Sequence, residues 1–411
     1  MQPTPSQIRR NALVLTGAQA LGGANPAIVI SLGGLVGTSL APQAALATLP
    51  VGLFQLGLAL GTLPAAMVMR RWGRRAGYIL GALLGALAGL AAAYGVYDGA
   101  FALFCAGTMI AGLYASYVQS YRFAAAELRP RLISWVMMGG LAAAVIGPQT
   151  VIWTRDLIPA APFSASFLAQ AGLALLALPV VAMLRAPGPS GDGQDASAGQ
   201  ARPLAQIVRH PRFIAAAAAG MVTYGLMSFV MTAAPVAMVA CGHTVGEAAL
   251  GIQWHVLAMF GPSFYTGRLI QRFGKVRVTV AGLLLTSAAA VVALSGLGLA
   301  HFWVALVLLG LGWNFGFIGA TALVTDCYAP CERARVQGLN DFLVFGSVAT
   351  ASMSSGQLLH AGGWQMVNLI VHPAVAAVLL LLAWQHARTS PAARPAGQVP
   401  RADTTGQLRV R

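Results

Sequence analysis

Apolar residues in this chain come in long, nearly unbroken runs, and polar residues are confined to short gaps between them. The runs cover roughly 11–36, 43–69, 76–97, 99–126, 132–154, 163–184, 212–239, 246–270, 277–299, 301–325, 335–359 and 363–387. A helix rising 1.5 Å per residue needs about 20 residues to cross a hydrocarbon core of about 30 Å, so each run predicts one transmembrane helix. Twelve such helices use roughly 240–300 residues and leave little for a water-soluble domain. The pattern therefore predicts an all-α polytopic membrane protein of twelve transmembrane helices.

The gaps alternate in charge. Basic ones hold Arg9 and Arg10, then Arg70, Arg71, Arg74 and Arg75, then Arg129 and Arg131, then Arg185, Arg202 and Arg209, then Arg268, Arg272, Lys275 and Arg277, then Arg333 and Arg335, and last the tail from Arg388. The intervening gaps contain Arg155 alone, beside Asp156. By the positive-inside rule both termini and the central loop face the cytoplasm, which requires an even number of helices. Composition agrees: 57% of residues are hydrophobic and 9% charged, whereas a soluble domain carries about 25% charge. The net charge of +15 is thus a topology signal and excludes nucleic acid as the partner it would suggest in a soluble chain. The first run lacks a small-residue cleavage site and is read as a helix, not a signal peptide. Cys327 and Cys331 lack the further ligands a metal site requires, so no metal is expected.

The chain is duplicated. Residues 66–75 (Ala-Met-Val-Met-Arg-Arg-Trp-Gly-Arg-Arg) align with 267–276 (Gly-Arg-Leu-Ile-Gln-Arg-Phe-Gly-Lys-Val), and each segment follows the second helix of its half. This divides the chain into an N-terminal six-helix bundle (1–185), a Gly/Pro/Ser/Asp-rich flexible cytoplasmic linker (186–208), a C-terminal six-helix bundle (209–388) and a disordered tail (389–411). Glycine permits the tight turn in each repeated loop, and the arginines can fix topology or meet headgroups and helix C-termini.

The two loops resemble the signature of the major facilitator superfamily, G-x-L-x-D-R-x-G-R-R. The second copy keeps Gly267, Leu269, Arg272, Gly274 and Lys275, and the first keeps Arg71, Gly73, Arg74 and Arg75. Six plus six helices around a central linker extend the resemblance over essentially the whole chain. It implies two pseudo-symmetric bundles that rock about a midplane site. The family's Asp is replaced here by Arg70 and Gln271. Since the family's helix eleven faces that position and here carries Asp341, a reversed pair of Arg70 with Asp341 is expected to close the cytoplasmic side, the alternative being that Asp341 caps a helix start or pairs with nearby Arg335.

Ionisable groups at membrane depth are costly and are candidate functional residues. Arg122 follows Tyr114, Tyr117 and Tyr121, whose spacing places them on one face of helix four. The family's helix four lines the central cavity, so the stripe suits an amphipathic or anionic substrate, the alternative being an interfacial aromatic belt. His255 is a candidate proton carrier or a lone hydrogen-bonded histidine between helices. Gln19, Asn25, Gln55, Tyr224, Gln253, Trp313 and Asn314 add polar groups to helices expected to face the cavity, and Asn25-Pro26 marks a break in helix one. Gly147-Pro148 in helix five is similar to the family's antiporter motif, although Val151-Ile152 replace its trailing glycines.

No P-loop, Gly-x-Ser-x-Gly or cofactor site is present, and an enzyme is not expected. The expected function is secondary active transport of a small molecule by alternating access, coupled to an ion such as H⁺ and with export favoured. A transporter-like membrane sensor and a uniporter are the alternatives. Partners would be the substrate, the coupling ion and the lipid bilayer, with the chain acting as a monomer in the inner membrane.

Overall fold

A computed structural model describes residues 5–128, 133–184 and 202–389, and these are helical with no strand among them. Basic Arg129, Arg131 and Arg185, most of the linker and the tail beyond 389 lie outside the described residues. The first span is α1 (Pro5–Gly22) continued by α2 (Ala24–Leu40) across the break expected at Asn25-Pro26. Proline lacks the N–H that would continue the helical ladder. Next, α3 (Leu49–Tyr97) holds two spans, and α4 (Phe101–Gln119) with α5 (Tyr121–Leu128), α6 (Ile133–Thr154) and α7 (Ser164–Ala182) complete six.

After a short α8 (Leu204–Val208), the second half runs through α9 (Pro211–Ala240), α10 (Val245–Phe260) with α11 (Ser263–Phe273), α12 (Lys275–Ser295) and α13 (Leu299–Val324). It ends in α14 (Arg333–Leu369), bent at Gly363, and α15 (Val371–Thr389). Nine helices among the described residues are long and apolar enough to cross a membrane. The twelve runs are reached because α3 holds two spans and α10–α11 and α15 add two more.

The repeated loops have one geometry. Gly73 stands at φ 82°, ψ 161° between the two spans of α3, and Gly274 at φ 89°, ψ 154° between α11 and α12. This backbone region is open essentially to glycine alone, so the same residue type recurs where the same sharp reversal is made. The other signature glycine, Gly267, has open space where a Cβ would stand, so no contact demands it. Arg74 donates to the hydroxyl of buried Tyr78 at 3.3 Å, a hydroxyl that also accepts from Ser120 of the α4–α5 corner. Arg272 stands over the Phe273 ring at 5.4 Å. Arg71, by contrast, is exposed.

Residues 202–208, read as the end of a flexible linker, are ordered. Ile207 of α8 is buried with Phe213, Val324 and Val336, because a short amphipathic turn can cover the apolar ends of α9, α13 and α14. Just before it, Arg202 grips Glu332 through Nε and Nη2, both at 2.8 Å, and through its backbone N–H at 2.9 Å. Glu332 is 2% exposed. Donation from Arg202 and from the Ala329 backbone holds its carboxyl well below the usual range, at about 2.

Hydrogen bonds between the halves gather near the ends poor in basic residues. Thr48 Oγ1 accepts from the Gly356 N–H at 2.9 Å, and Gln149 Nε2 donates to Gln253 Oε1 at 3.0 Å. An apolar cluster of Val36, Val151 and Phe167 with Ala249 packs the same end. Toward the basic end, Arg122 on one half and Asp341 on the other remain exposed. The halves are therefore closed at one end and parted at the other.

Candidate functional site

Between the halves lies a cavity of about 140 Å³. Its first-half wall comes from Gln19, Pro26 and Ile30 on α1–α2, Phe54, Gln55 and Leu58 on α3, Ala115, Val118, Gln119 and Arg122 on α4–α5, and Met137 and Gly140 on α6. Tyr224, Met227 and Met231 on α9 and Val256, Met259 and Phe260 on α10 close the other side. The wall is apolar with a few polar groups, as small-molecule sites are. Methionines add a soft, adaptable surface.

Three carboxamides, one guanidinium and one phenol supply the polarity. The side-chain amides of Gln19 and Gln119 have no hydrogen-bond partner among the described residues, while Gln55 donates from Nε2 to Ser228 Oγ at 3.3 Å. Arg122 is within electrostatic reach of Tyr224 and of Asp341. Tyr224 leads an aromatic cluster: its ring centroid is 5.3 Å from Trp313, 5.0 Å from Phe317 and 6.0 Å from Phe345, all edge-on. Trp313 stacks on Phe317 at 5.3 Å and meets Phe260, so the cluster joins the cavity wall to α13 and α14.

Of the residues singled out in the sequence, Gln19, Gln55, Arg122 and Tyr224 reach this cavity, with Trp313 directly behind Tyr224. Tyr114 and Tyr117 do not. They are 1% and 4% exposed and pack inside the first half. A Cβ on Gly85 would fall 2.5 Å from the Tyr114 ring, and one on Gly81 would fall 2.8 Å from Tyr117, so the phenols fill the space those glycines leave open on the second span of α3. The tyrosine stripe is thus a packing face, and the cavity face is the neighbouring one, Ala115, Val118, Gln119 and Arg122.

His255 is likewise turned away. It is fully buried, and its Nδ1–H donates to the Leu306 carbonyl of α13 at 2.7 Å, while Val256 and Met259 take the cavity side. His372 pairs with Ser287 at 2.8 Å in the same structural manner. Asn314 is also fully buried: its Nδ2 donates to the Met259 carbonyl at 2.6 Å and to Ser263 Oγ at 2.7 Å, across the break at Pro262. Its Oδ1 accepts from Thr266. It holds together a helix whose ladder proline interrupts, which is a structural duty. Asn25 donates to the Ala111 carbonyl at 3.0 Å and ties the first-span break to α4. Gln253 spends its carbonyl on Gln149.

Arg70 is exposed and does not pair with Asp341 in this conformation, in which the end such a pair would close stands open. Gly147 serves packing against α2, where a Cβ would approach Ala27 at 2.7 Å, and Pro148 lies within α6. Sequence reasoning passed over Gln119 and the methionine wall. The i, i+3, i+4, i+7 series Ala115, Val118, Gln119, Arg122 was the available signal for the helix-four face.

The Major Facilitator Superfamily model matches residues 12–262 and 230–410. Among curated relatives, the riboflavin transporter RfnT of Brucella anthropi is 61% identical over 379 residues, covering 91% of this chain and 95% of the relative. The uncharacterized MFS-type transporter YdeG of Bacillus subtilis is 29% identical over 387 residues, covering 89% of each. Solved structures share the fold. A bacterial homolog of the human lysosomal transporter Spinster, inward-facing and occupied, gives a TM-score of 0.69 at 14% identity, covering 94% of this chain and 98% of that one. The nucleoside transporter NupG gives 0.66 at 12% identity, covering 92% and 98%.

Proposed function

The chain belongs to the major facilitator superfamily and is a membrane transporter, and we propose that its substrate is riboflavin or a flavin of the same shape. The observation that carries this reading is the 61% identity to a riboflavin transporter over nearly the whole of both chains. The cavity chemistry supports it. A flavin offers a broad aromatic face, to which Tyr224, Phe260 and Phe54 present rings, and a polar edge that can meet the carboxamides of Gln19, Gln55 and Gln119 and the guanidinium of Arg122.

Transport would proceed by rocking of two bundles, residues 1–185 and 209–388, about this site. With the basic gaps in the cytoplasm, the termini are cytoplasmic, the membrane is the inner one, and the present conformation opens inward. Proton coupling is assigned to Asp341, which is exposed at the open mouth within electrostatic reach of Arg122.

The test is flux of labelled riboflavin in proteoliposomes of the purified chain, measured at two pH values, together with growth of a riboflavin auxotroph that lacks its own uptake system. Saturable flux and rescued growth are expected. Folded protein that moves no flavin in either direction overturns the substrate assignment, and tight binding without flux would favour a sensor.

A further inference from the structure

Gln55 belongs at once to the cavity wall and to the hydrogen-bond chain that closes the far end. Its Nε2 donates to Ser228 Oγ on α9 at 3.3 Å, Ser228 and Ser352 of α14 share a hydrogen bond of 2.7 Å, and Thr232 donates to Ser352 at 3.3 Å. Ser228, Thr232 and Ser352 are fully buried and lie together in the second half, so the one bond of this chain that crosses between the halves, Gln55 to Ser228, ends on a dry hydroxyl cluster. In such surroundings a broken hydrogen bond is not replaced by water and costs more than one at a wet surface.

A carboxamide has two N–H donors and one carbonyl acceptor. Ser228 takes one donor. Gln55 is 4% exposed, and its Oε1 has no partner among the described residues yet is not fully enclosed, so it opens on the cavity. What remains is one N–H beside one C=O. That edge matches a ring lactam or imide, whose N–H lies beside a carbonyl, and it rejects a ring lacking the N–H because Oε1 would be covered without a donor.

Building on the substrate reading above, we propose that Gln55 is a specificity-determining residue that reads the imide edge of the flavin pyrimidine ring. By doing so it fixes the amide plane on which the Ser228 link depends. Recognition and the state of the closed end then share one side chain: a bound ring with the imide orients the carboxamide, and a ring without it leaves the link unsupported.

The test uses the purified full-length chain in detergent, with affinity read from quenching of flavin fluorescence for riboflavin and for 3-methylriboflavin, in which methyl replaces the imide hydrogen. Wild type is expected to bind the methylated ring about tenfold more weakly, the scale of one buried hydrogen bond. Gln55→Leu should bring the two affinities within about twofold of each other. Gln55→Asn, which keeps the chemistry but withdraws it by one methylene, should do the same and is the safer variant to fold. Ser352→Ala should keep the wild-type ratio while changing flux in proteoliposomes. A ratio unchanged in both folded Gln55 variants overturns the proposal, as does a wild type that binds both flavins equally. Ser352→Ala with normal flux overturns the link to the closed end. A wild type that binds no flavin sinks the substrate assignment itself, which separates that failure from this one.

Discussion

A close backbone approach between two helices of the first half predicts the effect of a single methyl group. A Cβ on Gly112 of α4 would lie 2.0 Å from the Phe54 carbonyl oxygen and 2.7 Å from the Leu58 nitrogen of α3, and the reciprocal Cβ on Gly57 would lie 2.1 Å from the Met109 carbonyl oxygen. Ordinary contact begins near 3.4 Å, so Gly112→Ala must part the two helices by about 1.4 Å, since a backbone oxygen cannot escape by changing rotamer. Such overpacking costs about 1–3 kcal/mol, against which alanine's helix preference returns at most about 1 kcal/mol.

The displacement also reaches the site. Gln55 and Leu58 lie on one of these helices, and Ala115, Gln119 and Arg122 follow the other. Gly172→Ala in α7 is the control, because nothing lies within 4 Å of its added Cβ. Thermal unfolding in detergent, followed by tryptophan fluorescence, should show Gly112→Ala melting several degrees below wild type and binding riboflavin more weakly, with Gly172→Ala at or above wild type. Equal melting temperatures for the two variants would mean that α3 and α4 do not meet backbone to backbone, and the packing argument would be wrong.

Two further outcomes follow. Asn314→Ala strands the Met259 carbonyl and Ser263 at the break between α10 and α11, so stability should fall by about 1–3 kcal/mol, measured as loss of melting temperature, whereas His372→Asn on the periphery should cost less. The Glu332 carboxyl, held at about 2 by Arg202, is more acidic folded than unfolded, so its contribution is full above the ordinary glutamate range and declines as pH falls from about 4.5 toward 2. Wild type should therefore lose melting temperature more steeply than Glu332→Gln between pH 5 and 3, and parallel pH profiles would show that the pair adds nothing to stability.

The helices and their breaks were legible because each depends on local chemistry. Gly73 and Gly274, two hundred residues apart, adopt one backbone conformation that glycine alone tolerates, and the repeated loop sequence had already marked them as equivalent. The break at Asn25-Pro26 was likewise written in the proline. The site was only partly legible. Gln19, Gln55, Arg122 and Tyr224 were found as polar residues in apolar runs, but the same rule also selected Asn25, Gln253, His255 and Asn314, each of which satisfies a neighbouring helix. The end of the linker was misread because Arg202 and Ile207 are ordered by Glu332 and Phe213, partners that no local composition reveals.

Hydropathy and the alternation of charge determined the spans, their number and the expected sidedness, since the partner each segment answers to is the bilayer, which is the same along the whole chain. Tertiary structure decided which face of each helix does what. Lipid and protein interior are equally apolar, so within the membrane there is no hydrophobic difference to mark the lipid, packing and cavity faces of a helix. That Tyr114 turns to Gly85 while Gln119 and Arg122 turn to the cavity is settled by steric fit between helices and by where a buried polar group finds its partner.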